Sequence, residues 1–318
     1  MNKYMMYKLS KLSKYSNNNI NATNDINVNN VYRVRFFSSF CKSENVKGCY
    51  ENLCEAIAID YYGPNKKIYF TNDDDYTHVI ILNVAMPVLK PIPRKNVIGL
   101  SFEPTPFLRL SDQFIKYAQK NIYKYYIGDK YKYNLSKPFV EGFGFQWHIT
   151  PLTYLPIKNK CMSIICSEKK TYENHAYRHT LVKKILESNL PIDIYGRGCQ
   201  YYNHLNDTRV KGEFNSLEPI ENYDFHICIE NFVTNYYASE KIMDPLFCST
   251  TPIYLGCKNI KEIVGDNDNI ITLSGNADKD FKLLTDIINN PSQYKKNINI
   301  DEIKDKLNLI KNIEKLYL

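Results

Sequence analysis

The fold is decided by the stretch Phe225-His-Ile-Cys-Ile-Glu-Asn231, followed by Tyr237-Ala-Ser-Glu-Lys241 and then by Thr251-Pro-Ile-Tyr-Leu-Gly256. An apolar strand runs into an acid–amide pair, a helix begins at a Glu-Lys dipeptide, and a second apolar strand ends at a glycine. The first-turn N–H groups of a helix and its dipole both favour negative charge. Glu240 can accept sugar hydroxyls and Lys241 can neutralise a phosphate. The stretch therefore predicts a binding site that suits a nucleotide sugar.

Two strands further upstream also end at residues that suit a ligand. Cys161–Cys166 is followed by Ser167, and Ile192–Tyr195 is followed by Gly196-Arg197-Gly198. Open α/β sheets bind ligands beyond the carboxyl ends of their strands, so we expect these residues to join Glu230-Asn231 and Gly256 at one sheet edge. An isolated Gly-Arg-Gly is typical of a surface turn, but here the shared edge favours bidentate phosphate contact by Arg197.

The same residues resemble the donor-site signature of the α-1,3/1,4-fucosyltransferases, glycosyltransferase family 10. The matching segments are Glu230-Asn231, Tyr237 to Ile242 and Pro252 to Gly256, and Ile192 to Gly198 is similar to the family's V-D-x-Y-G-R strand end. The resemblance is specific from Ser163 to Ile260 and much weaker before that.

Two residues depart from the family pattern. Ser239 stands where the family usually has threonine, which keeps the hydroxyl. Pro245 lies inside the helix that follows the Glu-Lys dipeptide, where we expect it to kink or shorten that helix because proline lacks a backbone donor.

The resemblance implies an inverting transfer of L-fucose from GDP-fucose to a hydroxyl of a glycan acceptor, with an α-1,3 linkage and no obligatory metal or other cofactor. It implies that Lys241 anchors the pyrophosphate and that Glu240 binds ribose or sugar. Arg178 either reaches the phosphates or is a surface arginine. The full set of expected donor-binding residues is Ser167, Arg178, Arg197, Glu230, Asn231, Tyr237, Ser239, Glu240 and Lys241.

An inverting transferase also needs a base that takes the proton of the acceptor hydroxyl. The candidate is Glu103, which follows the strand Asn96–Phe102 in Ser-Phe-Glu-Pro-Thr-Pro, a segment similar to the Glu-x-Pro region of bacterial family members. The two prolines would hold it on a rigid loop. The alternative is a loop carboxylate without a catalytic role, and His148 is then the reserve base.

Strands and helices alternate along the second half of the chain, which is typical of βαβ units and a parallel sheet. We predict an α/β fold of two Rossmann-like domains facing across a cleft, the GT-B arrangement that the resemblance implies. The domains are a disordered basic arm (1–30), an N-terminal acceptor-side domain (31–155), a C-terminal donor domain (156–295) and a closing helix (296–318). Predicted strands in the N-terminal domain are Val31–Phe37, Lys67–Phe70, Thr77–Asn83 and Asn96–Phe102, and predicted helices include Ser111–Lys120, Tyr172–Ser188, Lys279–Asn289 and Asp301–Leu316.

Composition narrows the classes of protein to which the chain can belong. The chain has 318 residues, 44% of them hydrophobic, and a net charge of +7. No window approaches 18 uninterrupted apolar residues, and the N-terminus lacks an apolar signal region, so we expect a soluble, cytoplasmic protein without a transmembrane segment. The lysines before residue 15 form a basic arm that is either a solvated tail or a contact to nucleic acid or an anionic membrane. No nucleic-acid motif supports the second possibility.

Two patterns imitate metal sites. Asn72-Asp-Asp-Asp75 is similar to an Asp-x-Asp metal motif but favours a solvated turn. His175 and His179 have i, i+4 spacing without the glutamate of a metalloprotease, and we expect them on a helix surface. The nine cysteines show no paired ligand spacing, so no metal is predicted.

Three other functions remain open at this point. The closest is transfer of a different deoxysugar, or transfer from a different nucleotide, since no residue in the sequence indicates which nucleotide base is bound. The second is a catalytically silent carbohydrate-binding relative, and a basic nucleic-acid-binding protein is a distant third. A glycosidase is disfavoured because no second carboxylate is paired with Glu103.

Overall fold

The computed structural model describes residues 31–53, 65–142, 154–265, 269–307 and 309–317. The chain divides into two units, one formed by the residues up to 150 together with 307–318, and the other by residues 151–306. Each unit contains a six-stranded sheet in which all neighbouring strands are parallel. The prediction of an α/β fold with two Rossmann-like units, of the GT-B class, is confirmed.

The sheet of the N-terminal unit has the strand order β2-β1-β3-β4-β5-β6. Its strands are β1 (Tyr32–Ser38), β2 (Ile68–Phe70), β3 (His78–Leu82), β4 (Val97–Leu100), β5 (Lys124–Ile127) and β6 (Phe139–Glu141). The helices of this unit are Ser43–Leu53, Thr105–Leu108, Asp112–Asn121 and Leu309–Leu316, and Arg94–Asn96 is a short 3₁₀ turn. Ser111 caps its helix as predicted, because its hydroxyl accepts the N–H of Phe114 at 3.2 Å.

The core of the N-terminal unit forms on both faces of this sheet. All five residues of β3 are buried, as its continuous apolar run predicted for a parallel strand that is covered on both sides. Phe36 and Ile98 lie on one face, where the C-terminal helix adds Ile313 to the same cluster. Phe114 and Tyr125 lie in the cluster on the other face. The last helix of the chain therefore stabilises the first unit.

The sheet of the C-terminal unit has the order β12-β11-β10-β7-β8-β9. Its strands are β7 (Lys160–Ile165), β8 (Ile192–Tyr195), β9 (Val210–Gly212), β10 (Tyr223–Ile229), β11 (Thr251–Leu255) and β12 (Ile271–Thr272). The helices are Glu173–Leu186, Glu240–Phe247, Ile260–Val264, Ala277–Asn289, Pro291–Tyr294 and Ile300–Lys306, with 3₁₀ turns at Arg197–Tyr201 and Asn203–Leu205. The central strand β10 is buried over its last five residues, because β11 and β7 flank it and helices cover it.

Several elements differ from the sequence prediction. Four strands, β5, β6, β9 and β12, were not predicted, and each has only two to four residues. The predicted helix Asp301–Leu316 is two helices, and the chain passes from one unit to the other between them. The helix that begins at Glu240 has eight residues and ends two residues after Pro245. No helix in the described parts of the chain combines the length and the apolar character needed to cross a bilayer.

Candidate active site

Four neighbouring strands of the C-terminal unit end at one edge of their sheet. β11, β10, β7 and β8 are consecutive in the sheet order and parallel. The residues found within two positions of their carboxyl ends are Gly256, Glu230, Ser167 and Arg197. The structure thus brings these four sequence-predicted positions to the edge where parallel sheets bind ligands.

A buried carboxylate organises the centre of this edge. The Glu230 side chain has no exposed surface, and its Oε1 accepts the backbone N–H of Ser239 at 2.8 Å. The Ser239 hydroxyl lies 2.8 Å from Oε1 and 2.7 Å from Oε2. Ser239 is also the N-cap of the helix Glu240–Phe247, where its hydroxyl oxygen accepts the N–H of Lys241 at 3.3 Å. Glu230 therefore fixes the start of that helix relative to strand β10.

Gly256 is required by close packing at the same place. A Cβ atom at position 256 would lie 2.5 Å from Cγ of Glu230 and 2.4 Å from the hydroxyl oxygen of Tyr254. Both distances are shorter than any ordinary contact between these atoms, so a larger residue would displace Glu230. The glycine of the Pro-Ile-Tyr-x-Gly segment thus makes room for the carboxylate.

The ammonium group of Lys241 lies among three polar side chains. Its Nζ is 3.0 Å from the Ser239 hydroxyl, 3.3 Å from Oε1 of Glu240 and 3.4 Å from Oε2 of Glu230. Burial alone would lower the pKa of Lys241, but the carboxylates of Glu240 and Glu230 outweigh it and raise the pKa above its usual value. Lys241 is therefore a permanent cation whose side chain is still 24% exposed and can face a ligand.

The helix Glu173–Leu186 turns a polar face towards the strand ends. Asn174 Nδ2 donates to the carbonyl of Glu230 at 2.9 Å, and the buried guanidinium of Arg178 donates to the carbonyl of Ile229. Arg178 Nη1 also lies 3.5 Å from the Ser167 hydroxyl. Of the two alternatives for Arg178, the surface arginine is wrong, because only 4% of this residue is exposed. Its guanidinium lies against the carboxyl ends of β7 and β10.

The expectation that His175 and His179 lie on a helix surface is wrong. They are 1% and 6% exposed. His175 Nδ1 accepts the N–H of Tyr172 at 3.3 Å, so Nε2 carries the proton that it donates to Oδ1 of Asn231 at 3.1 Å. Burial lowers the pKa of His175, which keeps this neutral tautomer at neutral pH.

His179 makes the equivalent contact to the neighbouring strand end. Its Nε2 lies 2.9 Å from the carbonyl oxygen of Ser167, and its Nδ1 lies 2.8 Å from the hydroxyl of Tyr202. Burial lowers the pKa of His179 as well. The two histidines therefore hold the Asn231 side chain and the Ser167 carbonyl in place at the sheet edge.

Arg197 is more exposed than the other two expected donor-site cations, Lys241 and Arg178. Its Nε pairs with Oε2 of Glu168 at 2.7 Å, and its side chain is 40% exposed. Nε is one of the five N–H donors of a guanidinium, so the pair uses part of its capacity. Gly196 has a φ of 98°, and a Cβ there would lie 2.5 Å from the carbonyl oxygen of Cys166. The glycine therefore lets β8 turn tightly against β7 and directs Arg197 to the edge.

The last two predicted donor-binding residues differ in exposure. Asn231 is half-buried and is held by the contact with His175. Tyr237 is only 5% exposed and packs inside the unit. Asn231 can therefore reach a ligand directly, whereas Tyr237 contributes through the packing of the segment that leads into Ser239.

This geometry coincides with a match to a known family. Residues 155–299 match the family described as glycosyltransferase family 10 (fucosyltransferase), C-terminal part. These residues, which make up most of the C-terminal unit, are therefore similar to glycosyltransferase family 10. The matched residues include all four strand ends and the helix Glu240–Phe247, so the polar cluster at the sheet edge lies within the part of the chain that is similar to this family.

Individual relatives are distant. The chain is 24% identical over 135 residues to "GDP-fucose protein O-fucosyltransferase 3" of Danio rerio, a match that spans 41% of this chain and 29% of that protein. A crystal structure of an α1,3-fucosyltransferase with GDP-fucose has 14% identity and a TM-score of 0.44, covering 96% of this chain and 95% of that one. Anabaena Alr3699/HepE in complex with UDP has 8% identity and a TM-score of 0.52, covering 90% and 97%. The last likeness shows a shared fold.

Outside the family 10 match, Glu103 lies at the carboxyl edge of the N-terminal sheet, three residues after β4. It is half-buried and borders a cavity of about 230 Å³. The cavity is lined by Ser39, Phe40, Asn83, Val84, Phe102, Glu103, Phe107 and Leu108. The Ser101 hydroxyl donates to the Glu103 carbonyl at 2.6 Å, and Pro104 precedes a short helix. Pro106 lies inside that helix, so Glu103 is followed by a helical turn where a loop was predicted.

The structure describes some of the remaining sequence candidates and not others. Asn72–Asp75 forms a turn in which Asp74 and Asp75 pair with Arg35 and Arg33, so the solvated-turn interpretation is confirmed. Within the described residues no group of three or more histidine, cysteine or acidic side chains could hold a metal ion. The reserve base His148 and the basic arm lie outside the described residues.

Sequence reasoning missed the polar face of the helix Glu173–Leu186. Asn174, His175, Arg178 and His179 have the spacing i, i+1, i+4 and i+5, which places them on one face of a helix. In the sequence, a polar stripe of this kind next to a strand end is the signal that indicates a supporting layer for the site. Glu168 was also not predicted as a site residue, although it directly follows Ser167. It is the ion-pair partner of Arg197.

Proposed function

We propose that this chain is an inverting fucosyltransferase that moves L-fucose from GDP-fucose to a hydroxyl of a glycan acceptor, with an α-1,3 linkage. The observation that carries the proposal is the Glu230–Ser239–Lys241 cluster at the sheet edge, inside the residues that match family 10. A cation held at a helix start next to parallel strand ends suits the diphosphate of a nucleotide sugar.

Donor binding is assigned to the C-terminal unit. Lys241 and Arg197 contact the diphosphate, because both cations lie at the strand ends and both keep exposed side-chain surface. Glu240, which is 30% exposed, accepts hydroxyl groups of the ribose or the sugar. Once Lys241 pairs with phosphate, the buried Glu230 still balances its charge from behind, so the ammonium group does not lose its orientation.

The reaction forms one bond and breaks one. The acceptor oxygen bonds to the anomeric carbon of fucose while the bond from that carbon to the β-phosphate oxygen breaks, and GDP leaves with the electron pair. Lys241 and Arg197 stabilise the charge that builds on the leaving group. The carboxylate of Glu103 takes the proton of the acceptor hydroxyl. We propose that these cations, without an obligatory metal, balance the diphosphate.

The test is GDP release from GDP-fucose, measured with and without a glycan acceptor and in the presence and absence of EDTA. We expect acceptor-dependent release that EDTA leaves unchanged, and an α-fucoside as the product. GDP-mannose and UDP-glucose serve as matched donors, and turnover of either in preference to GDP-fucose would replace the donor assignment. Binding of GDP without turnover of any donor would identify a silent relative.

The acceptor panel should contain a protein as well as free glycans. The Danio rerio relative carries the name of a protein O-fucosyltransferase. Transfer to a serine or threonine hydroxyl and to no glycan would overturn the glycan acceptor while leaving the donor assignment in place.

A further inference from the structure

A short loop with alternating lysine and tyrosine residues stands at the carboxyl end of β5 in the N-terminal unit. It covers residues 128–138 and includes Lys130-Tyr131-Lys132-Tyr133. We refer to these four residues as the Lys-Tyr loop. Its backbone is fixed by Glu141 of β6, which accepts the N–H of Asp129 at 2.9 Å and that of Lys130 at 2.6 Å. The N–H of Leu135 returns to the carbonyl of Lys130 at 3.1 Å, so the loop is a built turn.

The outer surface of this loop is aromatic and positively charged. Tyr131 is 74% exposed and Tyr133 is 37% exposed. Each ring has its own cation, since Lys130 Nζ lies 5.0 Å from the ring centre of Tyr131 and Lys132 Nζ lies 5.7 Å from that of Tyr133. Such cation–π pairs orient the rings without burying them. Tyrosine is enriched at contact surfaces because its ring is apolar while its hydroxyl stays hydrated.

The acids of the same segment do not cancel its charge. The carboxylate of Glu141 is directed at the two backbone N–H groups, and Asp129 is only 8% exposed. The side chains of Lys130 and Lys132 therefore give the outer surface a net positive charge, which attracts anionic ligands over about a Debye length.

The loop borders the segment of Glu103. β4 and β5 are adjacent and parallel, so the residues after both strands emerge at the same sheet edge. Thr105, two residues after Glu103, donates its hydroxyl to the carbonyl of Gly128 at 2.6 Å. Neighbouring strands lie about 4.8 Å apart, which is close to the width of one sugar ring. The cavity that Glu103 borders is lined by residues that follow β1, β3 and β4 and by the helix Thr105–Leu108, and that helix is joined to the start of the loop by the Thr105–Gly128 hydrogen bond. An acceptor at Glu103 that extends over this helix would therefore meet the Lys-Tyr loop.

We propose that the Lys-Tyr loop is an acceptor subsite for an acidic glycan. The apolar faces of the sugar rings stack on Tyr131 and Tyr133, and a carboxylate or sulfate of the glycan pairs with Lys130 and Lys132. The inference rests on the proposed function, because it takes Glu103 as the base beside which the acceptor lies. It adds that the protein prefers acceptor glycans that carry a negative charge.

The test compares two acceptors that differ only in charge, N-acetyllactosamine and its 3′-sialylated form. In the double variant Lys130→Gln/Lys132→Gln we expect the KM for the sialylated acceptor to rise about tenfold, because two exposed charge pairs are lost. The KM for the neutral acceptor should change less than about twofold. In Tyr131→Ala/Tyr133→Ala both KM values should rise. The charge effect should shrink at high salt.

The chain offers a matched control at the other end of the same strand. Tyr123 is 48% exposed and pairs with Lys124, whose Nζ lies 5.3 Å from its ring centre, at the amino end of β5. Tyr123→Ala/Lys124→Gln removes an equivalent pair far from the carboxyl edge. It should leave both KM values unchanged, and an equal effect from this control would overturn the subsite.

Binding of both glycans is also titrated without donor, so the loop is tested even if no fucose is transferred. Loop-dependent glycan binding together with absence of GDP release would overturn the transferase proposal and support the subsite. Unchanged binding and unchanged KM values in both loop variants would overturn the subsite alone. Loss of binding to phosphatidylserine vesicles, with glycan binding intact, would overturn it in favour of a membrane contact.

Discussion

The carboxylate of Glu230 and the hydroxyl of Ser239 lie 2.7 Å apart, which links the end of β10 to the first turn of the helix that carries Lys241. The two are nine positions apart in sequence, and both are buried. A buried carboxylate that is fully hydrogen-bonded is stable in the interior, but it becomes costly as soon as one partner is removed. This contact makes the geometry of the donor site depend on the integrity of the core beneath it.

Replacing Glu230 should therefore affect both stability and binding. In Glu230→Gln the amide group faces the N–H of Ser239, and we expect a loss of about 1–3 kcal/mol in the free energy of unfolding. GDP binding should weaken as well, because Lys241 and the helix start lose the partner that holds them in position. Denaturant unfolding and calorimetric titration with GDP measure the two effects. Glu240→Gln is the control, and its partly exposed position predicts little change in stability. Equal stability of both variants would contradict the assignment.

Ser239 allows a substitution that tests the hydroxyl alone. Ser239→Ala removes the helix cap and one partner of Glu230, and we expect it to cost about 2–3 kcal/mol of stability. Ser239→Thr keeps the hydroxyl, so GDP affinity should stay close to that of the parent. Thermal unfolding of the two variants side by side separates the role of the hydroxyl from that of side-chain volume. A threonine variant as unstable as the alanine variant would show that volume decides.

The two cations at the strand ends should each contribute to GDP binding. Lys241→Ala and Arg197→Ala remove a charge-assisted contact to phosphate, which is worth about 1.5–3 kcal/mol. Because Arg197 is 40% exposed, we expect its replacement to leave the ligand-free thermal midpoint almost unchanged. The control is Lys184→Ala, which breaks a surface ion pair with Asp278 on the same unit. If the double variant at 197 and 241 bound GDP like the parent, the donor site would lie elsewhere.

Glu103 should affect chemistry without affecting donor affinity. Glu103→Gln keeps the shape and the hydrogen-bonding capacity of the side chain but removes the base, so transfer should fall by about 10²–10⁴-fold. GDP affinity should persist. Asp112→Asn, at an exposed helix start in the same unit, is the matched control. A near-parental rate for Glu103→Gln would transfer the role of base to another residue, with His148 as the next candidate.

The pH dependence of stability should include a term from His226. Complete burial lowers the pKa of His226 to about 3, and its Nδ1 lies 2.7 Å from the Ser163 hydroxyl. The ordinary pKa in the unfolded chain is 6.5. Between these values the unfolded chain binds more protons than the folded one, so stability falls as pH decreases from about 6.5.

The slope can approach about 1.4 kcal/mol per pH unit for this one group. Urea unfolding at pH 7 and pH 5 measures it, and His226→Gln should flatten the difference between the two pH values. His78, whose pKa burial lowers to about 4, adds a term of the same sign in the N-terminal unit. An unchanged pH slope in His226→Gln would refute the assignment to this residue.

The sequence by itself determined the elements that have strong local patterns. The buried strands β3, β10 and β11 are mainly apolar runs, and Ser111 is recognisable as the cap of the helix that follows it. The strand ends of the donor site followed from these elements, since in a parallel sheet all carboxyl ends meet at one edge. Short strands such as β6 and β9 contain too few residues for a pattern and form only because a neighbouring strand pairs with them.

Only the tertiary structure decided which polar residues are buried. Arg178, His175 and His179 could have faced water on a helix of this composition, and their burial follows from the strand ends that lie against that face. The last helix likewise carries no sequence signal that assigns Ile313 to the first unit. Local patterns fix helices and strands because neighbouring residues determine the backbone, whereas burial depends on residues that are distant in sequence and adjacent only after folding.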